Sequence, residues 1–159
     1  MTLIQKRLSA ALVGALLAAC GGGVAPDGVY LSLSVSTGDV AVETTINGEA
    51  NGFFSGTSGN MAAAGPINPH LREGENEITF ALSRAEDVGD DFEPWILASL
   101  EVALKGDIVD TMAPGDRTVF SRELTEDEAS TLEAGTSVVI IETFNVSRER
   151  LEAMKAAAK

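Results

Sequence analysis

Val29, Leu31, Leu33 and Val35 alternate with Tyr30, Ser32, Ser34 and Ser36. Successive side chains of a strand point to opposite faces, so this period of two predicts a half-buried strand. After Thr37-Gly38-Asp39 the alternation resumes through Val40, Val42, Thr44 and Ile46 and stops at Asn47-Gly48. Two such runs across a short turn predict a hairpin. Further alternating runs predict strands at Glu77–Leu82, with Ile78, Phe80 and Leu82 inward, and at Trp95–Leu104, with Ile96, Ala98, Leu100, Val102 and Leu104 inward. The opposite side of the second run, through Trp95 and Leu97, is apolar enough to predict cover on part of that face too. Arg117–Leu124 and Ser137–Val146 predict two more strands, the latter apolar on both faces around Val138 to Ile141, and Val109–Met112 a short weak segment.

Between these runs the punctuation changes. Residues 47–77 are rich in Gly, Asn, Ser and Pro, with Phe53-Phe54 and the extended Pro66-Ile67-Asn68-Pro69 among them. Proline withholds a backbone donor and biases its predecessor to extended conformations, which suits an edge segment or a loop crossing between sheets. Leu71 to Asn76 predicts a turn into the strand that follows. Thr125 and Glu128 have the spacing of a capping box and Gly135 suits a helix exit, which predicts a helix over 126–134. Ser147 can cap a second helix to about Ala158, whose narrow apolar face, Leu151 and Met154, predicts loose docking. Short strands with helices confined to a loop and the C-terminal end make the chain mainly β, a single small antiparallel β-sandwich, with a partly open barrel as the alternative.

The first residues follow a different rule. Lys6 and Arg7 precede an uncharged apolar run, Leu8 to Ala19, shorter than the roughly 20 residues a spanning helix needs and therefore suited to an export leader. Leu17-Ala18-Ala19-Cys20 closes it, and Cys20 is the single cysteine of the chain. This tetrad resembles the lipobox of bacterial lipoproteins. The resemblance implies a signal peptide over 1–19, a thiol lipidated at Cys20, and, with Gly21 rather than Asp next, delivery to the outer membrane facing the periplasm. Cys20 to Asp27 is then a Gly-rich tether reaching at most ~25 Å. The domain occupies 28–146 and the last helix 147–159. Within the domain, Pro66 to Leu82 (PINPHLREGENEITFAL) resembles an element of immunoglobulin-like and jelly-roll β-sandwich domains of exported proteins.

Composition narrows the partners. The 159 residues hold 11 Lys and Arg against 24 Asp and Glu, a formal charge of −13, and removal of 1–19 takes two of those cations away. Such a surface repels phosphates, and no basic stripe interleaved with aromatics offsets it, so nucleic acid is excluded as an expected partner. With 45% hydrophobic residues the chain has enough to bury a core.

Candidate chemistry is sparse. Glu86-Asp87-Val88-Gly89-Asp90-Asp91-Phe92-Glu93 is dense in carboxylates, as a calcium site would be, but lacks the regular loop spacing, and the expectation is a solvated acidic loop. His70 is the single histidine and sits in no nucleophile motif. No catalytic residue, cofactor or metal is therefore expected. Phe80, Phe120 and Phe144 are expected in the core, whereas Phe53, Phe54 and Trp95 adjoin loops and form the candidate binding face. The expected function is a membrane-anchored, non-enzymatic binding or assembly module for another envelope component, a protein or a glycan. The alternative is a carbohydrate- or small-ligand-binding accessory domain, and a hydrolase built on Glu86, Asp90 or Glu93 ranks third because one loop does not set the separation that paired carboxylates need.

Overall fold

The computed structural model describes residues 30–103 and 118–157. The expected leader, Cys20, the tether and the segment Val109–Met112 lie outside these residues. The described chain forms strands β1 (Tyr30–Gly38), β2 (Val40–Ile46), β3 (Glu49–Ala50), β4 (Asn60–Pro66), β5 (Gly74–Arg84), β6 (Trp95–Ala103), β7 (Thr118–Glu123) and β8 (Val138–Val146). Helix α1 (Glu126–Glu133) joins β7 to β8, and α2 (Arg148–Ala157) follows β8. Among the described residues the strands make two four-stranded antiparallel sheets, β4-β1-β6-β7 (sheet I) and β3-β2-β5-β8 (sheet II). The expected β-sandwich is the fold.

The core lies between the sheets. Leu31, Leu33 and Val35 of β1 and Ile96, Ala98 and Leu100 of β6 meet Val40, Val42 and Ile46 of β2, Ile78, Phe80 and Leu82 of β5, and Val138, Ile140, Phe144 and Val146 of β8. Each set falls at alternate positions, as the period of two requires. The capping box forms as expected: Thr125 Oγ1 accepts from the Glu128 N–H, and Glu128 Oε2 accepts from the Thr125 N–H at 2.8 Å. Gly135 leaves the helix at φ +80°, open to a residue without Cβ. Leu132 of α1 is wholly buried in the core.

Three expectations change. First, β1 and β2 are not a hairpin, because β1 pairs with β4 and β6 while β2 pairs with β3 and β5. The chain turns from one sheet to the other at Asp39, whose φ is +62°, and long-range bonds hold this corner: the Asp39 N–H donates to Gly59 O, and the Ala85 N–H donates to Asp39 O. Alternation is the same in a hairpin and in such an arch, since both feed the same core. Asn47-Gly48, with φ +53° and +82°, instead turns β2 into the short β3. Second, β1 is not half-buried. Ser32, Ser34 and Ser36, on its outward face, are 0–2% exposed, as is Ser99 opposite Ser34 on β6. Third, α2 does not dock loosely: Leu151 and Met154 belong to the core cluster.

Candidate binding surface

The three aromatics expected to form a face are separated by the fold. Phe54 is 2% exposed and belongs to the core. Phe53 stands beside it at 90°, ring centres 4.9 Å apart, and remains 59% exposed. Its ring lies against Gly65 of β4, where a Cβ would come within 3.2 Å of it. Trp95 is half-buried over Gly38, the partner of its own position on β1, and a Cβ there would fall inside the indole. Gly65 pairs with Leu33, five positions along β1 from Gly38, or roughly 16 Å. Trp95 shares the outward face of sheet I with the serines, whereas Gly65 is level with core-facing Leu33. One stacking platform from these three side chains is therefore ruled out, because the core needs Phe54 and the two glycines hold the other rings apart.

The polar candidates turn out to hold loops together. His70 ends a 3-10 turn (Asn68–His70), with Nε2 3.3 Å from Asn51 Nδ2. Asn76, completely buried, accepts on Oδ1 from the Arg72 N–H and Asn47 Nδ2, and donates from Nδ2 to the Arg72 and Gly74 carbonyls. Asn47 Nδ2 also donates to His70 O, and Asn47 Oδ1 accepts from the Glu77 N–H. An amide offers both donors and acceptors, so two asparagines satisfy backbone groups of the 3-10 turn, of the turn that follows it and of β5. This gives a physical reason for the Gly-Glu-Asn of the element singled out in the sequence.

The acidic loop behaves similarly. Glu86, Asp87, Asp90, Asp91 and Glu93 are all exposed. Asp87 Oδ1 accepts from the Gly59 N–H at 2.8 Å, and the Glu93 N–H donates to Asp39 Oδ2 at 2.8 Å. The Arg84 guanidinium stacks on Phe92 at 4.5 Å and donates to Gly89 O. Among the described residues no three His, Cys, Asp or Glu converge on a possible metal position, and no helix is long and apolar enough to cross a membrane.

At one lateral edge of the sandwich β7 faces β8. Phe120 and Phe144 meet at 6.5 Å, and Arg122 stands between Glu128 (2.5 Å) and Glu142 (3.4 Å). Burial alone would raise the Glu128 carboxyl, but the Thr125 N–H and the Arg122 guanidinium together hold it below the usual carboxylate range. This ion triad ties sheet I, sheet II and α1 at one seam.

Above that seam is the surface the sequence did not single out. The outward face of sheet II is set by register: Glu43, Ala81 and Val139 form one row, Thr45, Thr79 and Ile141 the next, then Glu77 beside Thr143 and Glu75 beside Asn145. Val139 and Ile141 are 60% and 56% exposed. Every charge on these outward positions is a carboxylate. No family model, curated protein or solved structure matches the chain. The signal for this surface was in the run SVVIIETFNV, apolar on both faces, because only one of those faces can belong to the core of a two-layer sandwich.

Proposed function

We propose that this protein is a lipid-anchored module of the bacterial cell envelope, held by acylated Cys20 at the outer membrane facing the periplasm, that binds another envelope component without catalysing a reaction. The lipobox resemblance supports the anchor. The observation that supports binding is the pair Val139 and Ile141, two large aliphatic side chains more than half exposed on a sheet face whose charges are all carboxylates. Exposed apolar surface rimmed by polar residues marks interaction sites in soluble domains. The contacts of His70 and of the acidic loop are those of loop scaffolding, which fits a binding module.

The test is made in intact cells with the full chain. A photo-crosslinking residue at Ile141 is expected to trap one envelope component in defined stoichiometry, while the same residue at exposed Glu49 traps none. Cys20→Ala is expected to leave the domain folded and move it from the membrane to the soluble fraction. Indistinguishable products from the two crosslinking positions would overturn the binding reading, and continued membrane fractionation of the alanine variant would overturn the anchor.

A further inference from the structure

The four edge strands of the sandwich are unequally protected. An edge offers unpaired N–H and C=O groups to any extended chain, and folds blunt it with shortness, proline, bulges, or charges turned inward. In sheet I, β4 ends on Pro66 and has the Phe53 ring against its Gly65, and β7 spans six residues with a register shift opposite Leu100 and Glu101. In sheet II, β3 has two residues. The remaining edge, β8, has nine residues, contains no proline, and pairs with β5 in continuous register. Among the described residues β5 is its single strand partner. Its one charge, Glu142, turns inward, and Arg122 neutralises it at 3.4 Å. The usual deterrent is thus cancelled on the longest edge.

The outward side chains of the same strand are Val139, Ile141, Thr143 and Asn145, all exposed and uncharged. The columns behind them contain Glu43, Glu75 and Glu77 with no cation among these positions. A strand added beside β8 would lie about 10 Å from the β5 column, a distance that a lysine or arginine directed across the face can span. A second copy is disfavoured as occupant, because the outward residues of its β8 are Val139, Ile141, Thr143 and Asn145, which bring no cation to these carboxylates.

Resting on the binding reading above, we propose that β8 is a docking edge for an extended segment of a partner protein that alternates apolar and basic side chains on one face and adds to sheet II as a fifth strand. Main-chain bonds to β8 give the affinity, an apolar side chain continues the row of Ile141, and the basic one in the next row, that of Thr143, meets Glu77 on β5.

The probe is a short synthetic peptide with valine and lysine alternating on one face and threonine on the other, titrated into the isotope-labelled full chain in detergent micelles. Amide shifts are expected to concentrate in β8. Binding is expected to weaken with salt, to disappear when the lysines become glutamates or the backbone is N-methylated along one edge, and to fall about tenfold or more in Ile141→Lys, whose fold is checked by its unchanged core amide shifts. Equal binding of the N-methylated peptide would overturn strand addition, and equal binding of the glutamate peptide would overturn the charge assignment. Shifts centred on another strand, no binding, or dimerisation of the chain through β8 would overturn the docking edge. If crosslinks from Ile141 form in cells but the peptide does not compete with them, this mode of recognition fails and the binding reading stands. If crosslinks are also absent, both fail.

Discussion

Strands β1 and β5 are both interior strands of four-stranded sheets, and both alternate in sequence, yet their surroundings differ. Along β5 every second residue from Asn76 to Leu82 is buried, and the residues between are half-buried. Along β1 all nine residues are buried. Period two thus reports which side chains face the shared core, but it says nothing of the state of the other face. Serine is compatible with either answer. Its hydroxyl suits water, and its small volume suits a covered sheet face. The cost of cover is visible in the atoms, since Ser34 Oγ and Ser36 Oγ have no hydrogen-bond partner, whereas Thr79 Oγ1 on the sheet II face donates to Glu77.

The largest effect that could break this comparison comes from a matched pair of charges. Ser34→Asp places an unpaired carboxylate on the covered face and is expected to cost about 3 kcal/mol or more, while Thr79→Asp on the open face costs under about 1 kcal/mol. Urea unfolding of the two variants in parallel checks this, and equal losses would mean that the two faces are alike. A smaller change of opposite sign sharpens it. Ser34→Ala removes a buried hydroxyl that has no partner, so it is expected to be neutral or to stabilise by up to about 1 kcal/mol, whereas Thr79→Ala on the open face gains nothing and forfeits β-propensity. Midpoints from the same unfolding curves decide it.

The smallest effect concerns the seam where the two sheets meet. The folded Glu128 carboxyl titrates below its unfolded value of about 4.5, so its ion pair stabilises the protein fully above that pH and ceases to do so as the pH falls through the folded value. Partial exposure limits this to under about 1 kcal/mol. Comparing the wild type with Glu128→Gln between pH 7 and pH 3, the gap in unfolding midpoint is expected to close toward acid. A gap that stays constant would show that the capping geometry, not the charge, stabilises the seam.

What could be read from the sequence follows the same division. Local chemistry was legible: Thr125 with Glu128, Gly135 at the exit, and the inward series Ile78, Phe80 and Leu82 all stand where spacing put them. Pro66 limited its segment to an edge or a crossing loop, and only the pairing of Asn60–Pro66 with β1 decides for the edge. Features set by non-local pairing were not legible. Nothing in Val29 to Ile46 distinguishes an arch from a hairpin, because the deciding bonds reach Gly59 and Ala85. Phe53 and Phe54 are adjacent in sequence, and the fold buries one and leaves the other out. The candidate surface on β8 was half legible, since its excess of apolar residues was visible but not the carboxylate columns that β2 and β5 bring beside it.

The corner at Asp39 also bears on the order of assembly. Leu33 is hydrogen-bonded into a ladder between Gly65 and Leu100, so the strand made first finds its central partner only when two-thirds of the chain has emerged. A hairpin would have closed within a few residues and seeded structure early. With an arch in its place, β1 has no partner close in sequence, and contacts this distant in sequence slow the search for the native pairing. Under the lipid-anchored reading proposed above, that delay would keep the chain free of sheet structure while it is exported, until its own C-terminal half arrives to complete the sheets.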